Sequence, residues 1–276
     1  MSGDKVAIIT GGGTGIGAAS ARVLRSRGWE VVICGRRLEP LQQVAASTGA
    51  TAIVADTGSP EDITRVVEGT LERFGSLNGL VLNAGIVRAG RVGELPDDAW
   101  DDMVRTNLTG PFRLLRASLP HLVTSKGSIV GVASAAALRA TEGTAGYNAT
   151  KAALAMLMQS VGVDYGPMGV RANAVCPGWT RTEMADLEMH EYGEELGLDY
   201  QDAYRVATSF VPSRRPAEAA EVAEVVAWLL SDSASYINSA VLPVDGGMVS
   251  VDPGALALDP RVTLSAPPCA VKAFLQ

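Results

Sequence analysis

The sequence runs to 276 residues, 47% hydrophobic and 19% charged, with 30 glycines and a formal net charge of −7. That apolar fraction suffices for a large core and excludes a disordered chain. The acidic balance, relieved only by the short basic pairs Arg36-Arg37 and Arg214-Arg215, argues against nucleic acid or an anionic membrane as partner.

In chain order, Lys5 to Thr10 is a short apolar run ending at a glycine cluster, and Gly15 to Arg27 continues at helical spacing. Trp29 to Cys34 reads as a strand, Leu38 to Ser47 as a helix and Thr51 to Ala55 as a strand. Glu61 to Phe74 is an amphipathic helix with Ile63, Val66, Val67 and Leu71 on one face. Gly79 to Asn83 is a strand. A long helical pattern covers Asp97 to Val123, broken into pieces around Gly110-Pro111. Ser128 to Ala133 is a strand, Tyr147 to Tyr165 a helix and Val170 to Val175 a strand. Glu183 to Pro212 is long, acidic and irregular for a plain connection. Ala217 to Leu230 reads as a helix and Ala240 to Pro243 as a last, edge strand. This alternation predicts an α/β fold: a Rossmann-type, doubly wound parallel sheet of about seven strands with helices on both faces. Residues 1–248 are expected to form one domain and 249–276 a tail, whose prolines discourage a long helix.

Cys34, Cys176 and Cys269 have no metal-ligand spacing, and His121 and His190 have no clustered partner, so no metal is expected. No run of about 18 apolar residues and no secretory leader stand out, which predicts a reducing, cytoplasmic location.

Thr10 to Gly17 reads TGGGTGIG between the first strand and the first helix. Glycines let the backbone turn sharply and approach a ligand, and the helix N-terminus behind them suits a pyrophosphate. An isolated turn of this kind also occurs without a ligand. Tyr147 and Lys151 are four apart and share one helix face. An ammonium beside a phenol favours its ionised form, so Lys151 is expected to lower the Tyr147 pKa. As a short motif the pair also fits a solvated helix surface. Ser134, just after a strand, fits either a donor to a substrate oxygen or a strand-end cap. Asn107 is disfavoured in a helix interior and fits a structural demand or a kink before Gly110-Pro111.

Taken together these segments resemble the short-chain dehydrogenase/reductase family. The likeness rests on TGxxxGxG at 10–17, Asn83-Ala84-Gly85, Ser134 with Tyr147-x-x-x-Lys151, Pro177-Gly178 and Asp245-Gly246-Gly247, in consistent order from Lys5 to Met248. It implies an oxidoreductase that passes a hydride between a nicotinamide cofactor and a secondary alcohol or ketone. Tyr147 would be the general acid and base, Ser134 would hold the substrate oxygen, and Asn107 would support Lys151 through a water. It further implies that Gly11, Thr14, Gly15, Ile16, Gly17, Asn83, Ala84, Gly85, Pro177, Gly178, Thr180 and Thr182 bind the cofactor with Tyr147 and Lys151, while Asp56 and Thr57 meet its adenine end. At the end of the second strand Gly35 replaces the acid that would select NAD, and Arg36 follows. This favours NADP(H), with NAD(H) possible.

By position in the family, Val87, Leu138, Trp179 and Met184 line a small-molecule substrate pocket, and Glu183 to Pro212 is either a lid or a solvated excursion. Two rivals share the fold: a nucleotide-sensing regulator without catalysis, and a dehydratase or epimerase. Ala152, Ala153, Ala155, Met156, Met158 and Gln159 crowd one helix beyond what a single apolar stripe needs. A homotetramer, or failing that a homodimer, is expected, with part of the tail buried between chains.

Overall fold

The computed structural model describes residues 5–256 and 259. Strand β1 (Val6–Thr10) leads into helix α1 (Gly15–Ser26), then β2 (Glu30–Gly35), α2 (Leu38–Thr48) and β3 (Thr51–Val54). Helix α3 (Pro60–Phe74), β4 (Gly79–Leu82) and α4 (Asp97–Val104) follow. A single π-helical turn, Arg105–Thr109, joins α4 to α5 (Gly110–Ser125). Then come β5 (Ser128–Val132), α6 (Ala145–Tyr165) and β6 (Arg171–Pro177). The chain continues through β7 (Thr180–Arg181), α7 (Glu183–Leu196), α8 (Tyr200–Ala207), β8 (Ala217–Glu218) and α9 (Ala219–Leu230). It closes with β9 (Val241–Val244) and the short α10 (Pro253–Leu256).

Seven strands form one sheet in the order β3-β2-β1-β4-β5-β6-β9, every pairing parallel. Parallel strands need crossovers, and the helices that supply them cover both faces. The pleat divides the strands accordingly. Ile8, Val32 and Cys34 join one core with Ile63 and Val66 of α3, Leu114 and Leu115 of α5, and Leu154 and Met158 of α6. Their neighbours Ala7, Ile9, Val31 and Ile33 join the other, with Leu24 of α1, Leu41 of α2 and Val226 of α9. All seven expected strands are present, and β9 is one edge of the sheet, as expected, with β3 the other. The order reverses between β1 and β4, so the crevice beyond their C-terminal ends is the place where such sheets hold ligands.

Three readings need correction or completion. Residues 183–212 are not irregular: they hold the helical pair α7–α8. The caps explain this. Thr182 Oγ1 accepts from Ala185 N at 3.2 Å, Asp199 Oδ1 accepts from Asp202 N at 2.8 Å, and Gly197 stops α7 at φ 68. The carboxylates of the first turns sit at the positive ends of the helix dipoles. The expected helix start at Ala217 is a two-residue strand, with α9 beginning at Ala219 under a Glu218–Glu221 capping box. Of the tail, a 3₁₀ turn at Met248–Ser250 and α10 are described. The rest of the expected tail, 257–276 apart from residue 259, and with it Cys269, lies outside the described residues.

Candidate active site

The glycine loop lies at the β1 end of the crevice. Gly11 takes φ 63, and a side chain there would meet Asn83 Nδ2 at 2.9 Å. A Cβ on Gly17 would drive into the Gly11 carbonyl, so α1 can start this close to the loop only with glycine at that point. The first turn of α1, which includes Ile16, carries no acidic residue, and the N-cap Thr14 makes no side-chain cap. Its N–H groups therefore face the crevice without a side-chain acceptor, and a dinucleotide pyrophosphate fits them. Asn83 locks the loop from the neighbouring strand, donating from Nδ2 to the carbonyls of Thr10 (3.0 Å) and Gly11 (3.2 Å). The Thr10 hydroxyl accepts from Asn83 N and Ala84 N at 2.9 and 3.0 Å. Thr10 opens the glycine motif but has no separate role in the sequence reading.

Beside it lies a buried polar group. Asn107, wholly buried in the π-turn, accepts from Ile86 N at 2.8 Å and donates to Ile86 O at 2.8 Å and to Thr150 Oγ1 at 3.1 Å. Lys151, on α6, is 4% exposed, and its Nζ donates to Val132 O at 2.9 Å. A Cβ on Gly85 would sit 3.1 Å from Lys151 Nζ and 3.4 Å from Asn107 Oδ1, so the glycine lets the β4 loop close on both. Ser134 follows β5 in extended conformation. Its Oγ accepts from Ala136 N at 3.2 Å, capping a 3₁₀ turn, and lies near enough to the Tyr147 phenol to favour its ionised form. The cap and the contact with the tyrosine coexist.

The electrostatics depart from the sequence expectation. Burial pushes the Tyr147 phenol up to about 12; the Ser134 hydroxyl opposes this and the Glu188 charge adds to it. Burial pulls Lys151 down to about 8. The ammonium lies 5.6 Å from the Tyr147 ring centre and spends its hydrogen bond on Val132, so desolvation of the phenol wins over attraction to the lysine.

At the β2 end, Arg36 is exposed and has no hydrogen bond or ion pair among the described residues, whereas Arg37 grips Glu183 through two 2.6 Å bonds. That pair ties the loop after β2 to the first residue of α7, and a Cβ on Gly15 would lie 3.1 Å from the Thr182 methyl. The start of α7 thus crosses the glycine loop. Asp56 accepts from Gly58 N at 2.8 Å and pairs with Arg105 at 3.1 Å, while Thr57 is buried against Gly110.

Pro177 is buried at the end of β6, and Gly178 lies against Asp245. Thr180 is buried with its hydroxyl on Gly178 O at 3.0 Å, which commits that side chain to the turn. Among the expected pocket residues, Val87 is half-buried, Leu138 packs on the main core and Trp179 packs on the small core beneath α7 and α8. Met184 stands exposed on α7. Among the described residues there is no cluster of metal-ligating side chains and no helix long and apolar enough to cross a membrane. A recess of about 770 Å³ opens at the opposite end of the sheet, beside the N-terminal ends of β1, β2, β4, β5 and β6. Of its charged groups, Lys5 pairs with Asp232, and Arg171 donates to the carbonyls of Leu229, Ser231 and Ile237.

Comparisons with known proteins agree with this geometry. Residues 11–249 match a family model described as enoyl-(acyl carrier protein) reductase. The chain is 42% identical over 247 residues to protein MoaE of Klebsiella aerogenes, covering 88% of this chain and 95% of that one. It is 36% identical to meso-2,3-butanediol dehydrogenase of Serratia marcescens, covering 88% and 94%. Among solved structures, levodione reductase superposes with a TM-score of 0.86 at 33% identity, covering 91% of this chain and 99% of that one. An actinorhodin polyketide ketoreductase with NADPH gives 0.85 at 33%, covering 90% and 98%. The sheet order, the glycine loop and the Ser134–Tyr147–Lys151 arrangement agree with these matches, and the chain belongs to the classical short-chain dehydrogenase/reductase family.

Proposed function

We propose that this protein is an NADP(H)-preferring ketoreductase, with Tyr147 as its proton donor and acceptor. By its family and relatives it is an NAD(P)-dependent oxidoreductase of secondary alcohols and ketones. The observation that carries the finer reading is the contact of the Ser134 hydroxyl with a Tyr147 phenol held in its neutral form, beside a buried Lys151.

When bound, the nicotinamide cofactor supplies or takes up the hydride. The chain's own groups handle the oxygen. Ser134 holds the carbonyl oxygen beside Tyr147 and steadies its developing charge. Tyr147, kept protonated at neutral pH by burial, gives its proton to that oxygen, and Lys151 stabilises the phenolate that remains. In alcohol oxidation the same groups act in reverse. Asn107 acts through the loop it holds, keeping Gly85 against Lys151.

The preference for NADP(H) is supported by Gly35 in place of an acid and by the unengaged Arg36 guanidinium next to it, since arginine suits a phosphate. The protein works as one unit over residues 1–248, in the cytoplasm. Assembly into a homotetramer, with a dimer as the fallback, is supported by exposed Phe112 on α5 and by Met156 (61% exposed) and Val163 (69% exposed) on α6. A panel of ketones and alcohols run with both cofactors tests the reading. Reduction with NADPH is expected to exceed that with NADH, and Arg36→Ala is expected to raise the KM for NADPH about tenfold more than that for NADH. A wild-type preference for NADH would overturn the assignment.

A further inference from the structure

The Arg37–Glu183 pair joins residues 146 apart in the chain, and the two elements it joins flank the glycine loop. On one side a Cβ on Gly13 would lie 3.1 Å from Pro40 of α2; on the other a Cβ on Gly15 would lie 3.1 Å from the Thr182 methyl, just before α7. Both carboxylate oxygens of Glu183 are taken, Oε1 by Arg37 Nη1 and Oε2 by Arg37 Nη2, each at 2.6 Å. Among the described residues no other charge acts on Glu183, and Arg37 holds its carboxyl below the usual carboxylate range. Helix α2 does not explain the arginine. Arg37 stands at its N-cap without a side-chain cap, where a cation meets the positive end of the helix dipole.

Arg36 and Arg37 directly follow Gly35, the last residue of β2. In a sheet of this kind that strand end is where an acid meets the ribose 2′-hydroxyl of NAD, or an arginine the 2′-phosphate of NADP. Arg36 is unpaired among the described residues, but the fork of Arg37 is filled by a carboxylate, which cancels its charge and occupies the donors a phosphate would use. We propose that Glu183 is a further cofactor-specificity residue: by taking up Arg37 it leaves Arg36 to face the 2′-phosphate alone, and so limits the preference for NADP(H) over NAD(H). The acid missing from the strand end is thus supplied in part from α7, one residue after the Thr182 that meets the glycine loop. The inference rests on the reading that the Gly35-Arg36 end of β2 receives the 2′-phosphate.

The test measures Kd for NADPH and for NADH by fluorescence titration of the full chain, and takes their ratio as the selectivity. Glu183→Gln frees Arg37 and is expected to raise the selectivity for NADPH about threefold to fivefold. Arg37→Met leaves Glu183 unpaired beside the phosphate and is expected to lower it by a similar factor, with the double variant returning near the wild type. Both shifts should shrink at about 0.5 M salt, since the groups are half-exposed. A pair that only held α7 in place would move the two single variants the same way and both cofactors alike. Shifts in one direction, or a shift below about twofold in either single variant, overturn the inference. Glu183→Ser carries the same expectation as Glu183→Gln and replaces it if the amide variant expresses poorly. A wild type that binds NADH more tightly overturns the NADP(H) reading instead, and the opposed shifts of the two single variants then decide the role of Glu183 separately.

Discussion

The floor of the crevice and the α7–α8 pair beside it are held by different means. On the floor, Asn107 and Lys151 are buried, both engage backbone groups, and each stands on a helix packed against the seven-stranded sheet. The helical pair has a core of its own with only four buried residues, Ala185, Met189, Ala203 and Tyr204. Its ties elsewhere include the half-exposed Arg37–Glu183 pair and the two-residue β7–β8 ladder. Small cores open locally at lower free energy than the sheet they border. The contrast assigns the chemistry, which needs fixed geometry, to the rigid part, and the choice of substrate to a part that opens at little cost.

The strongest way to break this division is Tyr147→Phe. The ring remains and the transferable proton goes, so kcat should fall by about 10²–10⁴ with NADPH affinity kept. Steady-state rates alongside fluorescence titration of NADPH check this, and a kcat comparable to the wild type would refute it. Next in size is Asn107→Leu. It strands both backbone groups of the half-buried Ile86, and a loss of about 1–3 kcal/mol is expected in urea unfolding. A change within experimental scatter would show that the floor is less tightly specified than described.

Lys151→Met should separate activity from stability. The folded pKa of about 8 lies below the ordinary 10.5, so the fold disfavours the ammonium. The unfolded chain binds the proton more readily, and stability rises with pH between those two values. Below pH 8 the burial therefore costs most, and the inactive Lys151→Met should be more stable than wild type by about 1–3 kcal/mol, less as pH approaches 10.5. Melting curves at pH 7 and pH 10 test the sign. The smallest effect is expected from Tyr204→Phe, which loses the 2.9 Å bond to Asp186. About 1 kcal/mol of local stability should go. It would appear as faster amide exchange in α7 and α8 with little change in global unfolding; a fall in protection across the sheet would show that the two regions unfold together.

How far all this was legible in the sequence follows from the range of each signal. The seven strands and the covering helices announce themselves by period, which is local. The glycine loop, Asn83-Ala84-Gly85 and the Tyr147–Lys151 spacing are also local, and they converge on one crevice. Helix α7 escapes periodicity because its apolar positions are too sparse for a clear stripe, and α8, though Tyr200, Ala203, Tyr204 and Ala207 make one, is only eight residues long; the caps at Thr182 and Asp199, with Gly197 between them, carry the signal instead. The Arg37–Glu183 pair and the Asn107–Thr150 bond join residues far apart in the chain, where periodicity is silent. The direction of the Tyr147 shift was misjudged for a related reason: spacing shows that a lysine is near, but not how much water both groups have lost.

Asn107 presents to Ile86 what an adjacent strand would present: one acceptor for its N–H and one donor for its C=O. The ladder of β4 ends at Leu82, and four residues further on this lone amide gives Ile86 the two bonds a neighbouring strand would have supplied. The extra width of the π-turn and the amide projecting from it make a splice between a helix and a strand that never pairs there. Aspartate has the same shape but can only accept, so it mends half of the splice. Only a side chain offering both signs, at that reach, lets the chain leave the sheet at Asn83 and still arrive beside Lys151 in register.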